Sequence, residues 1–120
     1  MNYTQQQIDE AWGKATKVDG FNPDNIRKDS CGAWIIRGQY SSRDSIYGWE
    51  IDHVYPKSLG GDEHPDNLRA MQWENNVAKG NDFPSYQVSV QAEGIKNVHK
   101  EDNYTINSNL LAKLRTLYHL

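Results

Sequence analysis

Apolar residues near the start of the chain recur at helical spacing, with Ile8, Ala11, Trp12 and Ala15 at i, i+3, i+4 and i+7. Thr4 and Gln7 stand ahead of them as a capping-box pair, so a helix is predicted over residues 4–18. A turn-rich stretch, DGFNPDNIRKD, follows at residues 19–29. AWIIR at 33–37 is a short strand candidate, and the polar QYSSRDS after it reads as a hairpin-like connection. A second strand is predicted over 48–54. Pro56, Gly60, Gly61 and Pro65 then mark a loop before a short apolar piece at 68–71. Residues 73–79 make a short helix stopped by Gly80 at the C′ position, with Trp73 and Val77 on a face that can pack inward. A last amphipathic helix over 107–119 puts Leu110, Leu111, Leu114, Leu117 and Tyr118 on one side. Both terminal helices are read as cover for a core, carrying no chemistry. The mixture predicts an α+β fold.

One strand contains residues that its pattern does not ask for. In GWEIDHV, Trp49, Ile51 and Val54 suit a pleated, half-buried segment, whereas Asp52 and His53 do not. The 120 residues amount to one domain, 37% hydrophobic and 24% charged, as in ordinary globular chains. A single cysteine, Cys31, excludes an internal disulfide and any Cys-rich zinc site. It reads as a small buried residue rather than a nucleophile. MNYTQQQIDE has no apolar core for a signal peptide and no run approaches a membrane span, so a cytoplasmic location is expected unless a partner delivers the protein elsewhere. Thirteen Lys and Arg against sixteen Asp and Glu give a net charge of −3, which does not advertise a nucleic-acid binder.

The middle of the chain can nevertheless be read as chemistry. Asp52 and His53 are followed by Asn67, fourteen residues after His53, and then by Asn76 and Lys79 on the short helix. Strand, loop, strand and helix fold back on one another, which brings Asn76 toward the end of the first strand. Asn76 and Lys79 are i, i+3 neighbours on one helix face, while Asn75 faces another way. A carboxylate and an amide oxygen converging from two elements are hard ligands suited to Mg²⁺, with water filling its other positions. His53, pointing away from Asp52, could take a proton from water while the metal holds a phosphate. That combination is metal-assisted phosphodiester hydrolysis.

EIDHVYPKSLGGDEHPDNLRAMQWENNVAKGN resembles the core of the HNH endonucleases, the ββα-metal or His-Me finger nucleases. The DH, GG, NL and NxxKG elements occur together in the family's order and spacing, over residues 49–82. The resemblance implies a ββα-metal core at about 48–82, with the predicted helices added at both ends. It makes His53 the general base, Asp52 and Asn76 the metal ligands, and Asn67 the residue that braces the loop and orients the histidine. Lys79 would meet a phosphate, and Lys57 and Arg69 are the other two bases of the segment available for DNA. Mg²⁺ or Mn²⁺ is the implied cofactor.

Two departures from the family pattern bear on this reading. Many HNH proteins carry paired cysteines that bind a structural zinc, but the positions before Asn76 read QWEN, so no structural zinc is expected. Packing by Trp34, Trp49, Trp73 and the terminal helices would brace the small unit instead. Residues 50–82 also hold seven acids against three bases. DNA binding would therefore draw on bases elsewhere, such as Arg27, Lys28, Arg37, Arg43, Lys113 and Arg115, or on a partner protein that helps target DNA. The expected function is a metal-dependent DNA endonuclease. A catalytically weak or inactive nucleic-acid-binding accessory module of the phage DNA-packaging type and a delivered antibacterial toxin nuclease are the alternatives.

Overall fold

The computed structural model describes residues 2–120 and shows an α+β fold of three helices and three two-stranded antiparallel sheets. Helix α1, Gln5–Gly13, starts at the Thr4–Gln7 capping box. It is shorter than the predicted 4–18. Beyond Gly13, Thr16 leaves the helix to bridge Lys28 of β1, Ile26–Lys28, which pairs with β2, Trp34–Ile36. The Arg27 guanidinium satisfies the exposed helix end, donating to the Trp12 and Gly13 carbonyls.

Strands β3, Trp49–His53, and β4, Leu68–Gln72, form the central ribbon, with Asp52 opposite Arg69 and His53 opposite Leu68. Its two faces are covered by different layers. Trp49, Ile51, Leu68 and Ala70 pack against Ala11 and Trp12 of α1. Met71 and, beyond the end of β3, Val54 pack instead with Tyr86, Val88, Ile106 and Leu114. Burial on both faces explains why every β4 residue is buried and why its apolar residues Leu68, Ala70 and Met71 do not alternate strictly with polar ones.

Helix α2, Trp73–Lys79, follows β4 without a loop and ends at Gly80, as its sequence predicts. Val77 does not pack inward. It is 56% exposed, because Asn75 and Lys79 occupy the buried side of this one-and-a-half-turn helix. A long hairpin, β5 Ser85–Glu93 and β6 Lys96–Thr105, lies against α2. Neither it nor β1 is predicted above. Helix α3, Ser108–Tyr118, is N-capped by Asn107 and buries Leu114, with Leu110, Leu111, Leu117 and Tyr118 half-buried around it. No helix among the described residues is long and apolar enough to cross a membrane.

Candidate active site

Strand alternation sends Asp52 and His53 to opposite faces of the ribbon, and each acquires its own partners. On one face, the His53 Nε2 lies 2.8 Å from Glu63 Oε1, and its Nδ1 lies 3.5 Å from the Tyr3 hydroxyl. A carboxylate only accepts, so Nε2 carries a proton toward Glu63. His53 in turn holds the Glu63 carboxyl below its ordinary value, with the Lys57 ammonium 3.7 Å away adding to that effect. Burial pushes the Tyr3 phenol up to about 12, so it stays protonated.

On the other face, Asp52 is 3% exposed and accepts from two cations, Arg69 Nε at 3.0 Å and Lys79 Nζ at 3.2 Å. Arg69 is its direct cross-strand neighbour and also donates to the Tyr86 hydroxyl at 3.1 Å. Lys79 donates a further hydrogen bond to the His53 carbonyl. Burial depresses the Lys79 ammonium, with Asp52 pulling it back. Burial works against the Arg69 cation too, but there the Asp52 carboxylate wins and holds it raised. Both side chains therefore sit inside the protein as ion-pair partners, 1% and 7% exposed, rather than free for a phosphate beside His53 as their sequence positions led us to expect. Of the three bases in this segment, Lys57 alone is exposed.

Asn67, fully buried, clamps the loop between β3 and β4 at both ends. Its Oδ1 accepts from the Tyr55 N–H, and its Nδ2 donates to the Tyr55 and Asp62 carbonyls. Gly61 lies under this clamp, where a Cβ would collide with the Tyr55 carbonyl. Helix α3 ties down the same loop, since Tyr118 donates to Asp62 Oδ1 at 2.6 Å and stacks on Tyr55.

Asn76 is positioned by residues that carry no signal of their own in the sequence. Asp29, buried, receives the N–H groups of Cys31, Ala33 and Gln72 and the Asn75 amide, which fastens the start of α2 to the β1–β2 turn. Asn75 accepts from the Ser89 and Val90 N–H groups at the β5 bulge. Asn76 is thereby left facing outward, with its Nδ2 donating to Glu50 Oε1 at 3.2 Å and Glu50 braced by Arg43. No family model, no curated protein and no solved structure matches the chain.

Asp52, His53, Lys57 and Asn76 line one open cleft of about 270 Å³, together with Gly80 and Asn81. Among the described residues, no three His, Cys, Asp or Glu side chains converge as a metal cage. Asp52 and Asn76 are oxygen donors in the cleft's lining, a carboxylate and an amide of the hard type that suits an ion keeping most of its waters, as Mg²⁺ does. Both Asp52 oxygens are engaged here by Arg69 and Lys79. The other bases considered above are partly spent. Arg27 is buried under α1, Arg37 pairs with Asp9, and Arg43 pairs with Glu50.

Proposed function

We propose that the protein is an HNH-type endonuclease that hydrolyses phosphodiester bonds in DNA. The supporting observation is that one cleft brings together Asp52, His53, Lys57 and Asn76 from three separate elements, over a loop clamped by Asn67. In this reading the β3–β4–α2 unit is the ββα-metal core, and α1 and α3 hold it from outside. Asp52 and Asn76 would hold Mg²⁺ or Mn²⁺, which when bound supplies Lewis-acid stabilisation of the phosphate and the leaving oxygen.

The protein's own residues account for the rest. Glu63 fixes the tautomer and the orientation of His53, which takes a proton from the attacking water at Nδ1. The Tyr3 hydroxyl, 3.5 Å from that nitrogen, must give up its place to the water for Nδ1 to accept the proton. Lys57 meets a phosphate oxygen at the entrance. Arg69 and Lys79 act through Asp52 by fixing its rotamer, and so are positioning residues. Incubation with supercoiled plasmid tests the proposal. Nicking is expected with Mg²⁺ and none with EDTA.

A second reading, a DNA-binding accessory module without turnover, draws on the withdrawal of Arg69 and Lys79 into the interior. That withdrawal leaves few cations at the cleft, and a partner protein that helps target DNA fits the same observation. Plasmid bound but not cut, at saturating Mg²⁺, would favour it.

A further inference from the structure

The Arg69 guanidinium has one nitrogen left over. Its Nε is taken by Asp52 and its Nη2 by the Tyr86 hydroxyl, but Nη1 has no hydrogen-bond partner among the described residues. No buried side-chain nitrogen or oxygen among them lacks a partner, so Nη1 must reach solvent although the residue is only 7% exposed. Arg69 lines a second cleft, of about 280 Å³, separate from the one that holds His53. Lys14 and Lys113 line it as well. The Lys14 ammonium donates to the Leu68 carbonyl at 2.6 Å, and burial depresses it, with Asp66 and Glu10 pulling it back and Lys113 adding a smaller depression. Asp66 is the one carboxylate on its wall.

Helix α3 begins at the same place, with Asn107 and Asn109 in the lining. The Asn107 side chain caps the Leu110 N–H, while the N–H groups of Ser108 and Asn109 have no partner among the described residues. An eleven-residue helix thus presents free donors and the positive end of its dipole to a cleft lined by three cations. Two ammonium groups and an unfilled guanidinium around one cleft, against the single carboxylate of Asp66, is an arrangement that an anion stabilises.

We propose that this second cleft binds a phosphate group between Arg69, Lys14, Lys113 and the first turn of α3. A tetrahedral oxyanion has the acceptors to engage a planar guanidinium, two ammonium groups and backbone N–H groups together, which a single carboxylate does not. The site stands apart from the His53 cleft and does not depend on cleavage there. Its ligand is either free phosphate or the backbone phosphate of a nucleic acid.

The experiment is a titration of the full chain with inorganic phosphate in EDTA, followed by amide and Arg Nε–H resonances. The Ser108, Asn109 and Leu110 amides and the Arg69 Nε–H should shift saturably. Lys113 is exposed, so Lys113→Glu keeps the fold and should weaken phosphate binding by roughly tenfold or more, the loss of a charge-assisted contact. Asn109→Asp, which sets a carboxylate at the first turn, should weaken it too, whereas Lys100→Glu on β6 should not. A short single-stranded DNA that shifts the same resonances more tightly than phosphate identifies a nucleic-acid backbone. Phosphate binding without that response identifies the free ion. Shifts that never saturate, or a Lys113→Glu protein that binds phosphate like wild type, overturn the proposal.

Discussion

Replacing Asp52 should unfold the protein more readily even when no metal is present. The Asp52 carboxylate is the counter-ion of two buried cations, at 3.0 and 3.2 Å, and all three side chains are at most 9% exposed. Asp52→Ala leaves the Arg69 guanidinium and the Lys79 ammonium facing each other without compensation. Removing one partner of a buried ion pair costs about 3–5 kcal/mol. A chain of this length has an unfolding entropy of about 0.25 kcal/mol per kelvin, so the midpoint should drop by roughly 12–20 °C. Thermal denaturation in EDTA, monitored by circular dichroism, isolates this term from any loss of metal. The double variant Asp52→Ala with Lys79→Met should recover part of the loss, because one of the orphaned charges is then gone. An Asp52→Ala midpoint within a few degrees of wild type in EDTA, or no recovery in the double variant, would refute the ion-pair account of Asp52.

Asn67→Ala should leave the Tyr55 N–H and two carbonyls without their buried partner, at about 1–3 kcal/mol for each group orphaned. Faster amide exchange across residues 55–67 and a loss of cleavage larger than any loss of metal affinity would show it. Glu63→Gln removes the anion that orients His53, and should lower kcat while leaving KM nearly unchanged. Because His53 depresses the Glu63 carboxyl, this pair contributes stability above the ordinary carboxylate range that is lost as pH falls through the lowered value. Acid unfolding of Glu63→Gln, compared with wild type, should lack that component. Asn76→His should shift the metal preference from Mg²⁺ toward Zn²⁺ or Ni²⁺, since an imidazole replaces an amide oxygen, and Asn76→Ala should lose Mg²⁺ affinity. Calorimetric titration with each ion distinguishes the two variants.

How much of this could be read from the sequence depended on whether the signal was local. Helix α2 was legible to the residue because Gly80 and the apolar run before Trp73 mark both of its ends. The α1 cap at Thr4 was legible for the same reason, but its C-terminus was not, since the chain beyond Gly13 turns into a bridge between Thr16 and Lys28, twelve residues apart. Tyr86, Val88 and Val90 alternate and Gly94 marks the turn, so the β5–β6 hairpin carries a local signal, though a weak one beside the charged run of β6. Among site residues, Asn67 was recognisable because its partners lie within its own loop. Glu63 was counted only as a charge, although it lies ten residues from His53 and meets it directly. Asp29 and Tyr3 could not be placed at all. Their partners lie on elements joined only by tertiary folding, and one acid in a turn-rich stretch resembles any other. Lys79 shows the reverse error, since a base beside such a motif looks like a phosphate ligand until the fold turns it inward to Asp52, and Arg69 turns away from the His53 cleft to line another.

The central claim is that His53 activates water in a site whose metal is held by other residues. Single-turnover cleavage of supercoiled plasmid by wild type and His53→Ala, with Mg²⁺ affinity measured on the same samples, tests it most directly. We expect the His53→Ala rate to fall by about 10²–10⁴-fold with metal affinity nearly unchanged. Equal cleavage by the two proteins, or a loss of rate fully explained by a loss of Mg²⁺ binding, would contradict it.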